Sequence, residues 1–155
     1  MADTATLWKK LTAEGNALFD AGDPAQALIR YEAACTLALA QFSQWVEADD
    51  AVASVVVSYL NLSEAQARTG LLAKASATLC MLHGNLLKAS VNRRGRAALR
   101  EAAERYLQQT FAALLRFRQR YGERPEMRPW LCDPCLGEPG APLSASNAPV
   151  SDLIH

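Results

Sequence analysis

The sequence predicts an all-α protein of about five helices, paired as antiparallel hairpins and followed by an extended C-terminal tail. Three observations predict it. Apolar residues recur at spacings of three and four through most of the chain. Gly22, Gly70 and Gly122 each fall where such a stretch ends, as C-terminal cap glycines do. Beyond Pro125 the periodicity gives way to proline, glycine, serine and asparagine.

In the first helix, Trp8, Leu11, Leu18 and Phe19 keep helical spacing up to Gly22. Asp23-Pro24-Ala25-Gln26 then reads as a helix start, with Asp23 as cap, proline in the first turn and Gln26 completing a capping box. The second helix carries Ala27, Leu28, Tyr31, Ala34, Cys35, Ala38, Phe42 and Trp45, an apolar stripe of roughly six turns. A third spans about Asp50 to Thr69. Its AVASVVVSYL has strand propensity, yet Val52, Val55, Val56, Tyr59 and Ser63 keep the helical period. The fourth, about Leu72 to Ser90, turns Ala75, Leu79, Leu82, Leu86 and Ala89 inward. The fifth, about Arg94 to Tyr121, does so with Leu99, Ala102, Ala103, Tyr106, Ala113, Leu114 and Phe117. Residues 1–122 therefore form the helical domain and 123–155 a Pro-rich tail that should be flexible, ending in the more apolar VSDLIH.

At 155 residues, 50% hydrophobic and 21% charged, the chain can bury one core. No apolar run reaches the roughly 18 residues of a membrane span, so no membrane association is expected. The N-terminal MADTATLWKK lacks a signal peptide's apolar core, and four cysteines in such a chain fit a reducing cytoplasm. Net charge is zero but unevenly placed: −3 over residues 1–90, +6 over 91–128 and −3 over 129–155. The basic section suits an acidic partner, internal charge complementarity with the acidic body, or a solvated helix face.

An internal repeat is present. Gly15, Gly22, Ala27, Tyr31 and Ala34 recur 48 residues later as Ser63, Gly70, Ala75, Leu79 and Leu82. Gly15 lies inside a helix, where it costs about 1 kcal/mol against alanine, so a neighbouring antiparallel helix must press on it. Both stretches resemble the tetratricopeptide repeat: small residue, glycine before the turn, alanine in the second helix, aromatic, alanine. The likeness covers roughly residues 7–90. Its usual period is 34; the 14 extra residues here would lengthen the second and third helices by about two turns each. Immunophilin-type cochaperones have a similar elongated pair, and small bacterial repeat proteins of unknown function also look similar.

This resemblance implies a protein-interaction module with a concave groove lined by its first, third and fifth helices. In cochaperone-like repeats, a clamp of lysine, two asparagines, lysine and arginine holds a peptide's C-terminal carboxylates. Asn16 and Asn61 stand where the clamp asparagines do. Thr12 stands at the first lysine and Lys9 a turn earlier, while Asn92 and Arg96 are candidates for the remaining positions. Either asparagine could instead bond across its helix pair. The groove expected from this reading is lined by Lys9, Asn16, Asn61, Glu64, Arg68 and Arg96. It would suit a protein or peptide partner of acidic character, without a cofactor and without catalysis. Phe42 and Trp45, near the ends of the elongated pair, leave core burial and a homodimer contact both open.

The rival reading is metal or redox chemistry at Cys132-Asp-Pro-Cys135, which offers two of four zinc ligands or a dithiol. Cys35 and Cys80 lie on core stripes, and His83 and His155 are isolated. Nucleic-acid binding through NRRGRAALR is disfavoured by the zero net charge, and the arginines from Arg105 to Arg124 alternate with apolar residues as a solvated face would. Hydrolase and phosphate-loop motifs do not occur.

Overall fold

The computed structural model describes residues 3–131 of the chain. Six helices account for most of them: α1 (Thr4–Asp20), α2 (Pro24–Ala40), α3 (Ala48–Arg68), α4 (Leu72–Val91), α5 (Ala97–Tyr121) and α6 (Arg128–Leu131). Short 3-10 turns occupy Phe42–Gln44 and Pro125–Met127, and no strand occurs among the described residues. The valine-rich run is helical, as its period requires, because Val52, Val55 and Val56 are all fully buried.

Helix α1 packs on α2, α2 on α3, α3 on α4, and α5 on both α3 and α4. Two cross-helix contacts fix the direction of α1 and α3. Trp8 Nε1 donates to Ser58 Oγ at 2.7 Å, and the Arg68 guanidinium lies 5.2 Å from the Phe19 ring centre. The two helices are therefore parallel. Likewise Arg105 reaches Asp49 at 2.6 Å and Arg120 reaches Glu64 at 3.7 Å, so α5 runs parallel to α3. Helices α1, α3 and α5 form one parallel row, with α2 and α4 running antiparallel to it.

The two hairpins turn by the same device. Gly22 and Gly70 both have φ +85°. In each case the glycine N–H and the following N–H bond back to carbonyls of the ending helix: Gly22 to Phe19 and Asp23 to Leu18, Gly70 to Ala67 and Leu71 to Gln66. This is the Schellman arrangement, and its left-handed residue favours glycine. Ala27 and Ala75 are fully buried at equivalent places, and Tyr31 and Leu79 are equally buried at 4% exposure. Asp23 caps α2 by accepting from the Gln26 N–H at 3.1 Å. The reciprocal half of the capping box does not form, because the Asp23 N–H is already committed to Leu18.

Gly15 is buried, and a Cβ built there would lie 2.5 Å from Tyr31 Cε1 and 2.7 Å from Cδ1. The ring of Tyr31 fills the place of the missing side chain.

Two expectations are corrected. The second helix does not extend through Trp45: α2 ends at Ala40, and only α3 carries the extra length. Leaving the helix lets Phe42 enter the core and brings Trp45 edge-on to Trp8, with ring centres 6.2 Å apart. Both aromatics are thus engaged within the chain. The ordered body also continues past residue 122. Met127 is fully buried and packs with Ala67, Ala75, Leu79, Cys80, Ala113, Leu114 and Phe117, with Trp130 and Leu131 against them. Residues 132–155, with VSDLIH, lie outside the described residues.

His83 joins α4, α5 and α6. Its Nδ1 is 2.7 Å from Thr110 Oγ1, and its ring meets Trp130 edge-on at 5.6 Å. Burial holds its pKa down at about 4, against an ordinary 6.5. The folded state therefore keeps this imidazole neutral while the unfolded chain takes up a proton below about 6.5.

Gly15→Ala lowers stability by about 1–3 kcal/mol in denaturant unfolding, since overpacking against Tyr31 outweighs the gain of about 1 kcal/mol in helix propensity. The double variant Gly15→Ser with Tyr31→Leu, which copies the Ser63 and Leu79 pair, recovers part of that loss. Stability contributed by His83 is complete above pH 6.5 and drains away as pH falls towards 4, amounting to about 2–3 kcal/mol. Unfolding measured from pH 7 to pH 4.5 shows a shallower decline in His83→Gln than in the parent.

Candidate functional site

The register of the parallel row decides which polar side chains meet. Between the C-terminal halves of α3 and α5 lies a cleft of about 510 Å³. Leu60, Leu79, Ala113 and Phe117 give it apolar walls, and Asn61, Glu64, Arg116, Gln119 and Arg120 bring polar groups to it. Leu79, Ala113 and Phe117 belong to the core cluster that also holds Met127, so this surface is backed by rigid packing. A smaller recess of about 230 Å³ opens towards α1, lined by Asn16, Phe19, Asp20 and Tyr31 together with Asn61 and Glu64. Asn61 and Glu64 line both. The two recesses therefore make one surface crossing α1, α3 and α5.

Charge on this surface is mostly self-compensated. Glu64 accepts from Arg68 Nε at 3.0 Å and lies 3.7 Å from Arg120 Nη1. These side chains are all more than two-fifths exposed, so each pair is worth at most about 1 kcal/mol. Arg116, which lines the cleft, has no ion-pair partner among the described residues. Tyr31 Oη donates to Asn16 Oδ1 at 2.7 Å. Burial, and secondarily the charge of Asp20, push the Tyr31 pKa up, so the hydroxyl stays a proton donor.

Of the residues expected in the groove, Asn16, Asn61 and Glu64 come together, with Arg68 at their edge over Phe19. Asn16 also bonds across the helix pair, to Tyr31. Lys9 is exposed on α1 two turns before Asn16, about 10 Å away along the axis, and lines neither recess. Thr12 donates to the Trp8 carbonyl of its own helix at 2.9 Å.

Arg96 is a correction. It is the N-cap residue of α5, about 30 Å along that helix from Arg116, and so stands at the opposite end from Asn61. Asn92 serves the α4–α5 loop there, accepting from the Arg94 N–H at 3.1 Å. Cations at the level of Asn61 come instead from Arg116 and Arg120, which sequence reasoning placed on a solvated face. The available signal was their four-residue spacing. Its register against Glu64 depends on how α5 docks on α3, which the Asp49–Arg105 contact displays.

Cys35 and Cys80 are buried, and burial pushes both thiols up to about 12. Such thiols are poor nucleophiles and poor ligands. Cys80 Sγ donates to the Glu126 carbonyl at 3.4 Å, tying the Pro125–Met127 turn to α4. The described residues contain no group of three or more His, Cys, Asp or Glu placed to hold a metal. Cys132 and Cys135 lie outside the described residues. No helix among the described residues is long and apolar enough to cross a membrane.

Residues 6–131, the helical body from α1 to α6, match the family described as "Protein of unknown function (DUF2753)". The chain belongs to that family. No curated protein and no solved structure matches it.

The two asparagines should separate experimentally. Asn16→Ala costs about 1 kcal/mol of unfolding free energy through loss of the Tyr31 bond, whereas Asn61→Ala stays within about 0.5 kcal/mol of the parent. Paired urea titrations check this difference.

Proposed function

We propose that this member of the DUF2753 family is a non-catalytic adaptor of the cytoplasm, holding a peptide or partner segment on the surface formed by α1, α3 and α5. The observation that carries the reading is the sharing of Asn61 and Glu64 between the two recesses, over apolar walls continuous with the core. Ligand sites commonly combine apolar walls with a few placed polar groups. The Asn61 amide suits a peptide backbone, and Phe117 with Leu79 suits an apolar anchor side chain. Arg116, without an ion-pair partner among the described residues, favours a carboxylate beside that anchor, which gives the partner its acidic character. Kinship with the tetratricopeptide repeat is part of the proposal. It is supported by the matched glycine caps, by Gly15 against Tyr31, and by the equivalent burial of Ala27 and Ala75.

An array of short peptides pairing one leucine or phenylalanine with one or two acidic residues, read by fluorescence anisotropy, tests this. Binding that weakens about tenfold, or about 1.4 kcal/mol, in Arg116→Glu and also weakens in Asn61→Ala is the expected result. Lys9→Glu, outside the surface, leaves affinity unchanged. The proposal is overturned if no peptide binds, or if binding ignores both groove substitutions.

A further inference from the structure

The end of the row opposite the groove carries two charged patches of opposite sign. The first surrounds the α2–α3 turn. Asp3, Glu47 and Asp50 line one recess of about 320 Å³ with Val46, which is 91% exposed. None of these three carboxylates has an ion-pair partner among the described residues. The second is the α4–α5 loop. Arg93, Arg94 and Arg96 are exposed there, again without an ion-pair partner, beside Val91 at 67% exposure. Arg100 Nη1 donates to the Gly95 carbonyl at 2.7 Å, which ties the loop to α5.

The patches are neighbours. Helix α4 ends and α5 begins at the same end of the row as the start of α3, and Asp49 with Arg105 and Tyr106 bridges the space between. Each patch thus combines an exposed valine with like charges that have no ion-pair partner among the described residues. Like charges left together raise the energy of the isolated molecule, and the matching opposite charges lie on the same surface.

We propose that this end of the molecule is the interface of a symmetric dimer with a second copy of the chain. The loop bearing Arg93, Arg94 and Arg96 of each copy docks against the Asp3, Glu47 and Asp50 recess of the other. Val91 meets the partner copy's Val46. Because the acidic and basic patches adjoin, a two-fold axis near the Asp49–Arg105 pair satisfies both contacts at once and closes the assembly. The groove at the far ends of the same helices stays open in both copies.

Sedimentation velocity on the full chain at about 50 mM and 500 mM salt tests the proposal. The parent is expected to dimerise at low salt, with a dissociation constant at least tenfold higher at high salt. Arg93→Glu/Arg94→Glu/Arg96→Glu and Glu47→Lys/Asp50→Lys should each be monomeric, with unchanged circular dichroism. Mixed in equal amounts they should form a 1:1 dimer, since each contact again pairs opposite charges. A parent that stays monomeric at about 100 µM and low salt overturns the proposal, as does one that stays monomeric while its arginine loop binds duplex DNA. Open polymers, or charge-reversed chains that dimerise alone, overturn it too. Peptide affinity at Arg116 is independent of these substitutions, so this interface and the groove fail or stand separately.

Discussion

The ring of Tyr31 occupies the space that a Cβ on Gly15 would need, and the architecture of the first hairpin depends on that contact. It sets how closely α1 approaches α2. It also places the Tyr31 hydroxyl where Asn16 accepts its proton, so one aromatic side chain both joins the hairpin and fixes a polar group at its surface. The second hairpin meets the same need differently, with Ser63 and Leu79 at the equivalent places. Leu79 also lies on the wall of the larger cleft.

Around these hairpins the parallel row behaves as a ruler. Ion pairs at Asp49–Arg105 and Glu64–Arg120 mark the same register at both ends of α3 and α5. They are exposed, and their energies are small. Apolar packing holds the helices; the ion pairs show where the helices came to rest. One consequence is the division of labour along the row. Its C-terminal half carries the apolar cleft with Arg116, and its N-terminal end carries the two charged patches. A partner segment and a second copy of the chain would use opposite ends.

Much of the fold was legible in the sequence. Every residue assigned inward on the third and fourth helices is buried, because a period of 3.6 over a long segment leaves one face for the core. The repeated glycines announced the two turns, since left-handed backbone carries its own sequence signature. Where α2 ends was not legible. Neither proline nor glycine stands between Ala40 and Ala48, and the chain leaves the helix there with Phe42 in the core and Trp45 against Trp8. The role of Met127 was hidden for a similar reason: one apolar residue in a proline-rich stretch acquires meaning only when α4 and α5 offer it a cavity.

The site divides along the same line. Sequence by itself determined the helices, their inward faces and the two turns, as consequences of local backbone geometry and period, while the resemblance to the tetratricopeptide repeat was what pointed to Asn16 and Asn61. Tertiary structure alone decided that Arg116 and Arg120, rather than Arg96, stand beside Asn61. Helix period fixes the face on which a side chain lies. Only packing between helices fixes its height along the neighbouring axis, and a parallel pair separated by an intervening helix carries no local signal for that height.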